Sequence, residues 1–226
     1  MSEREKILGR IREALKVEAP VAGAHGHGQP ATGSAASTPR RWLPKVGESV
    51  DEQLALFAKN AADLKADFQL YNSAEAARQA MTALRDKEKW QRVASHSGSL
   101  TDAICPALNL PLLRTDRSYD VHALEASDAG ISECDALIAQ TGSVLVTNRS
   151  AGGRALSVLP PHHVVLARRE QLVADLPAAF ALLKQKYAAD YPSMISFITG
   201  PSRTGDIERI LVLGAHGPKK LTVICF

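Results

Sequence analysis

The chain reads as an α/β protein whose mainly parallel sheet is covered by helices, with an N-terminal helical arm. Three observations predict this. From residue 49 onward, short β-branched or apolar runs alternate with helix-period segments, the pattern of a parallel sheet buried on both faces. Those runs repeatedly end in polar, glycine-bearing turns. The 226 residues suffice for one substantial core plus an arm.

Residues 1–17 form the arm. Ile7, Leu8, Ile11 and Leu15 recur at helical spacing opposite charged residues, and Ser2 with Glu5 makes a capping box. So short a helix must pack on something, either its own domain or a second subunit. Residues 18–47 are rich in Pro, Gly, Ala, Ser and Thr without apolar periodicity and read as a flexible linker. His25 and His27 alternate with glycine there, a pattern open to chance metal binding but expected of solvated linker histidines, and Trp42 is a place for the chain to re-anchor by packing.

The α/β domain occupies residues 48–226. Val50, Leu54, Phe57, Ala61 and Leu64 share one helix face. A strand at 68–71 is followed by a helix at 73–84, capped by Ser73. A strand at 90–94, a polar turn at 95–99, a helix at 100–108 and an edge strand at 110–113 come next. Residues 121–130 are irregular or partly helical, and strands at 134–139 and 143–147 are joined by Gln140, Thr141 and Gly142. A glycine-rich stretch to Arg154 and the pair Pro160-Pro161 lead to a buried strand at 162–167. Residues 169–187 then make a long amphipathic helix that Pro177 kinks or divides. After a buried strand at 194–199, Gly200-Pro201 breaks the chain, a short helix runs over 207–213, and Gly214 stops it. A polar turn at 216–219 returns to a strand at 221–226.

Composition excludes several classes. The net charge of +3 is spread over 27 basic and 24 acidic residues, and 5% of residues are aromatic, so there is neither a basic stripe nor a stacking platform for nucleic acid. No apolar run approaches a membrane span, and Met1-Ser2-Glu3-Arg4 does not open a signal peptide, so the expected compartment is the cytoplasm. Cys105, Cys134 and Cys225 form no C-x-x-C pair, and a four-thiolate cluster cannot be built from this chain alone. No H-x-x-x-H or H-E-x-x-H spacing supports a metal site, and P-loop, G-x-S-x-G and G-x-G-x-x-G patterns are absent. No catalytic set stands out. Glu133 and Glu208 have the chemistry of an acid, base or nucleophile, and equally that of surface ion-pair partners.

What remains is a set of polar corners after strands, at 95–99, 140–143, 152–154, 200–206 and 216–219. In a parallel sheet several of these gather at one edge, with Arg154, Arg203 and Lys219 nearby, a composition suited to a carboxylate or phosphate. Residues 194–213 add the order strand, polar loop, helix start, where free helix N–H groups receive anions. The plainer reading of the same residues is a turn with Ser202 or Thr204 as a helix cap.

The run I-T-G-P-S-R-T-G-D-I-E-R-I-L-V-L-G-A-H-G-P-K-K-L at 198–221 resembles the C-terminal signature of the LutC/YkgG family, the lactate-utilisation (LUD) domain proteins. Ala139-Gln140-Thr141-Gly142-Ser143 resembles the family's Thr-Gly turn, with Gln140 where an acidic residue is more usual. The resemblance covers most of 130–226 and implies a NagB/RpiA/CoA-transferase-like fold. It also implies an accessory role beside two iron–sulfur subunits that oxidise L-lactate to pyruvate, with the clusters in those partners and no cofactor in this chain. It draws attention to Thr141, Gly142, Gly200, Ser202, Arg203, Asp206, Glu208, His216 and Lys219 as ligand-binding positions, with Ser143 and Thr204 in the same corners. The alternative is a stand-alone small-molecule enzyme of CoA-transferase or 5-formyltetrahydrofolate cyclo-ligase-like fold.

Overall fold

The structure is a computed structural model that describes residues 3–14, 43–204, 212–214 and 216–226. The chain divides into two units, residues 1–40 and 41–226. In the first, helix α1 spans Glu3–Ala14, with Ile7 and Leu8 exposed. The Ser2 cap, Leu15, most of the expected linker and Trp42 lie outside the described residues.

In the second unit, helix α2 (Val50–Asp63) starts at a reciprocal capping box. Glu52 N–H donates to Ser49 Oγ at 3.2 Å while Ser49 N–H donates to the Glu52 carboxylate at 3.1 Å. That carboxylate is held below its ordinary pKa by the backbone hydrogen bond from Ser49. Strand β1 (Asp67–Leu70) and helix α3 (Ala74–Glu88), capped by Ser73, follow as the sequence predicts. Next come β2 (Val93–Ser95), the short α4 (Ser99–Ile104) continued by a 3-10 turn, and β3 (Leu112–Arg114).

Helix α5 (Val121–Glu125) then leads to β4 (Ala129–Glu133), a strand the sequence does not announce. Residues 121–130, expected to be irregular or partly helical, in fact enter this strand. Ala-Gly-Ile-Ser-Glu carries a single β-branched residue, so propensity is silent there. Gly130 is required because a Cβ would run into the carbonyl oxygen of Leu156, which crosses over the strand.

Strands β5 (Ala136–Ile138) and β6 (Ser143–Thr147) form the expected hairpin, and β7 (His162–Ala167) falls where the buried run predicts it. The long helix over 169–187 is corrected. A 3-10 turn and β8 (Leu172–Val173) occupy its first part, and α6 (Leu176–Tyr187) begins only after Asp175 accepts the Ala178 N–H at 2.9 Å. Pro177 sits in the first turn of α6, where its missing N–H costs nothing.

Strand β9 (Ile195–Ile198) is followed by β10 (Arg203–Thr204), which pairs antiparallel with β11 (Val212–Leu213). The expected helix over 207–213 is therefore corrected at its end, where a strand stands; residues 205–211 lie outside the described residues. Strand β12 (Lys220–Cys225) completes the domain.

Six strands form an all-parallel main sheet in the order β1-β12-β7-β4-β2-β3. A four-stranded sheet in the order β8-β5-β6-β9 is mostly antiparallel. Helices α3 and α4 cover one face of the main sheet through Met81, Leu100, Ile104, Val164 and Leu166. Its other face packs Val165 and Val223 against Leu137, Val144 and Val146 of the second sheet and Phe57 of α2. Helix α6 covers the outer face of the second sheet through Ala179 and Leu183. Each fully buried Leu, Ile or Phe contributes roughly 1.5–3 kcal/mol, enough for these layers to fix the two sheet edges described next.

Candidate functional site

At the C-terminal edge of the parallel strands, open α/β sheets commonly bind ligands. Here that edge is filled by the chain itself. Glu133, at the end of β4, accepts the Leu100 N–H at 2.7 Å and the Thr101 N–H at 3.1 Å, so its carboxylate occupies the position an anion would take at the start of α4. His96 is 3% exposed; its Nε2 accepts the Glu133 N–H at 3.2 Å and its Nδ1 lies 3.0 Å from the Ser97 carbonyl oxygen. Those partners place the ring hydrogen on Nδ1. Arg114 donates to the His96 carbonyl and pairs with Asp102 at 2.8 Å. Ser97 donates to Asp116 through both N–H and Oγ, and the side-chain bond holds Asp116 below its ordinary pKa. Thr115 Oγ1 donates to the Gly152 carbonyl at 2.7 Å, tying the 152–154 corner into the same network. Glu133 thus serves as a helix cap.

The expected convergence of the polar corners at one edge is corrected. Those at 95–99 and 152–154 meet at the C-terminal edge, while 200–202 and 216–219 lie at the N-terminal edge. The physical reason is direction: residues 216–219 precede β12, so they stand where the strand starts. Lys219 N–H donates to the Pro161 carbonyl at 2.8 Å, just before the start of β7.

At this N-terminal edge a cavity of about 210 Å³ opens on the face shared with the second sheet. Val158, Ile198 and Leu221 supply its apolar lining, and Ser157, His163, Ser196, Thr199, Ser202 and His216 its polar lining. The walls are knit by backbone bonds, with Ser202 N–H donating to the Pro218 carbonyl at 2.9 Å and Gly214 N–H to the Ser202 carbonyl at 2.8 Å. The His216 N–H donates to Ser202 Oγ at 3.3 Å. Gly200 has φ +83 and a Cβ there would stand 2.6 Å from the Leu64 carbonyl oxygen, so only glycine brings the turn this close to the end of α2.

His163 forms the deepest polar group. It is 1% exposed, its Nε2 lies 2.8 Å from Ser132 Oγ, and its Nδ1 has no partner among the described residues. Burial pushes its pKa down to about 3, so the ring is neutral at physiological pH. The adjacent His162 faces the opposite side of the sheet, with Nε2 2.9 Å from Thr222 Oγ1 and Nδ1 again without a partner. Burial lowers its pKa to about 4.

Of the sequence-predicted site residues, Gly200, Ser202 and His216 line this cavity. Ser143 backs it, with Oγ 2.8 Å from Thr199 Oγ1. Thr141 keeps a buried hydroxyl without a partner among the described residues, and Gly142 (φ +63) packs on Asn60 and Ala61 of α2. Arg203 and Thr204 stand in β10, not at a helix cap, and Arg203 is exposed with no ion pair among the described residues. Lys219 lies outside the cavity and lines a separate groove on the α3 face. Asp206 and Glu208 lie outside the described residues.

Sequence reasoning missed His163, whose role depends on Ser132 from a neighbouring strand, and Asp135. The Asp135 side chain is fully buried and accepts from Lys186 Nζ, Tyr187 Oη and Ser150 Oγ, each at 2.6 Å. Burial pushes its pKa up, but the bonds from Lys186, Ser150 and Tyr187 outweigh this and leave it below the ordinary carboxylate value. A lone acid inside the apolar stretch 134–139 was the available signal. Among the described residues no three His, Cys, Asp or Glu side chains converge as a metal site, and no helix is long and apolar enough to cross a membrane. The thiols of Cys105, Cys134 and Cys225 are buried, and burial raises the pKa of each.

Comparison with known proteins gives a consistent picture. The family model described as LUD domain matches residues 54–226. Lactate utilization protein C of Anoxybacillus flavithermus is 37% identical over 105 residues, 46% of each chain. The protein of the same name from Shouchella clausii is 34% identical over 110 residues, 48% of each chain. That of Geobacillus kaustophilus is 35% identical over 107 residues, 46% of this chain and 45% of the relative. The chain thus matches about half the length of these curated relatives. Among solved structures, a DUF162 family protein from Deinococcus radiodurans superimposes with a TM-score of 0.58 at 23% identity, covering 79% of this chain and 99% of that one. That likeness extends to the fold.

Proposed function

The chain belongs to the LUD domain family, and from that premise we propose that it is a LutC-type accessory component of an L-lactate-oxidising system. In this reading the redox chemistry belongs to iron–sulfur partner subunits. This chain contributes the N-terminal-edge cavity, which holds a small carboxylate of the lactate or pyruvate class. The cytoplasm is the compartment this role calls for.

The observation that carries the reading is the lining of that cavity. Its volume, about 210 Å³, is below the roughly 300–1,000 Å³ of drug-sized sites, so it suits a molecule of a few heavy atoms. Val158, Ile198 and Leu221 offer a surface for a methyl group, and the hydroxyls of Ser196, Thr199 and Ser202 can donate to a carboxylate. His163, neutral and unpartnered at Nδ1, presents one more polar group whose buried state is costly without a partner. Gly200, Ser202 and His216 come from the stretch that resembles the family's C-terminal signature.

The test is a thermal-shift titration of the isolated chain with lactate and pyruvate, beside co-purification from cells expressing the cluster-bearing partners. At a ligand concentration 100 times Kd the native state gains about 2.7 kcal/mol, a shift of several degrees. Ser202→Ala is expected to abolish that shift while leaving the unliganded melting temperature within about 2 °C. The reading fails if neither acid shifts the transition, if Ser202→Ala retains the full shift, or if the isolated chain turns over lactate.

A further inference from the structure

On the opposite face of the main sheet, at the same N-terminal edge, two adjoining concavities of about 220 and 260 Å³ share Glu88, His162, Lys219 and Lys220. Lys65 and Lys87 line the larger one, so four lysines border the pair where α2 and α3 end and β7 and β12 begin. Lys220 is paired with Glu88 at 2.5 Å. Lys65, Lys87 and Lys219 have no ion pair among the described residues. Two other carboxylates reach the groove. Asp128 is engaged by the Gln91 and Arg92 N–H groups at 2.7 and 3.0 Å, and Asp67 accepts from Gln69 Nε2 at 2.6 Å. The groove thus carries four lysines against the three carboxylates of Glu88, Asp67 and Asp128, and Lys65, Lys87 and Lys219 are its cations without an ion pair among the described residues. At the base lies His162, 4% exposed, whose unpartnered Nδ1 stands out because nearly all buried polar groups find partners.

We propose that this groove is a second ligand site, distinct from the carboxylate cavity, and that it binds a small anion carrying two phosphoryl groups. Charge favours phosphate over carboxylate: among the described residues every cation lining the groove is a lysine, a point charge on a flexible stem, and three such groups without an ion pair suit a polyanion better than a singly charged carboxylate. The concavities are sized for one small molecule, and Trp90 at the wall is 4% exposed, so no ring is offered for stacking a base. A diphosphate offers enough anionic oxygens to bridge the three lysines that lack an ion pair. The site does not depend on the reading of the carboxylate cavity, since Ser202 and Thr199 lie on the other face of the sheet.

Inorganic pyrophosphate, titrated calorimetrically into the full chain at low salt, is the direct test. Saturable one-to-one binding is expected, tighter than that of inorganic phosphate. The double substitution Lys87→Gln/Lys219→Gln is expected to weaken it about tenfold, as befits two charge contacts of modest strength each. Both lysines are exposed, so the variant keeps its fold. Ser202→Ala should leave pyrophosphate binding unchanged, which separates failure of this site from failure of the carboxylate cavity. Absence of saturable heat, or equal binding by the double variant, would show that the lysines only balance the negative ends of α2 and α3. Displacement of pyrophosphate by lactate or pyruvate would overturn the phosphate assignment.

Discussion

The two edges of the main sheet are built from similar residues and end in opposite states. At the C-terminal edge Glu133 is taken up by the Leu100 and Thr101 N–H groups, Asp116 by Ser97, and Asp102 by Arg114. At the N-terminal edge His162 and His163 each keep an unpartnered ring nitrogen, and Thr141, on the hairpin that Ser143 ties to Thr199, keeps an unpartnered hydroxyl. These three are the only buried side-chain polar atoms without a partner among the described residues. Strand direction tells where a ligand commonly sits in such folds, but unspent hydrogen-bonding capacity tells where this chain can receive one. The first edge invests its polar groups in stability, and the second holds them in reserve.

The sharpest break in this contrast is expected just beyond the closed edge, at Asp135. Removing that carboxylate by Asp135→Ala leaves Tyr187 and Ser150 without their shared acceptor and Lys186 without its counter-ion. A loss of about 3 kcal/mol is expected from a buried pair, reduced from the upper range because Lys186 is half exposed. The urea midpoint reads it directly.

The open edge is expected to show itself through pH. His163 binds its proton at about 3 in the fold and near 6.5 when unfolded, so between those values the unfolded state takes up more protons. Its contribution to stability is therefore complete above pH 6.5 and falls as pH drops toward 3. From pH 7 to pH 5 the loss is roughly 2 kcal/mol. Asp135 runs through a lower window, because its depressed pKa keeps its contribution intact until pH falls below the ordinary carboxylate range. Denaturation curves at pH 7 and 5 for the parent and for His163→Gln test this: the variant is expected to lose about half of the upper part of the dependence, the other half belonging to His162, whose pKa burial lowers to about 4.

A smaller effect tests whether the closed edge is closed by Glu133. Glu133→Ala should cost about 1–2 kcal/mol by exposing the Leu100 and Thr101 N–H groups. It should also create what the parent lacks there, a place where added sulfate restores part of the lost melting temperature. Sulfate stabilising the parent and the variant equally would blur the distinction between the edges.

Much of the fold was legible in the sequence, for reasons visible in particular residues. Strand β7 ends in the apolar run Val164 to Ala167 shortly after two prolines, and α3 carries Ser73 as its cap, so local signals and tertiary packing agree. Strand β4 was hidden because its place in the sheet is fixed by the close crossing of Leu156 at Gly130, a contact without local trace. The stretch 169–187 looked helical throughout because Leu172 and Leu176 keep helical spacing, yet Asp175 and Pro177 mark a start, not an interior. In the site, Gly200, Ser202 and His216 were readable from the family-like stretch. What could not be read was the edge each corner occupies, because that depends on strand direction and not on residue type. Lys219 shows the limit: two residues from Gly217 in sequence, it serves the opposite face of the sheet.

Strand β12 lies between β1 and β7, pairing Asp67 with Thr222 across some 150 residues of intervening chain. Until that insertion happens, β1 has no neighbour in the main sheet, and α2 has only part of the surface it covers. Closure of so long a loop is slow compared with helix formation. If β12 inserts last, β1 and β7 show bare strand edges until it does, and a refolding yield that falls as protein concentration rises is the expected sign of pairing between molecules at those edges.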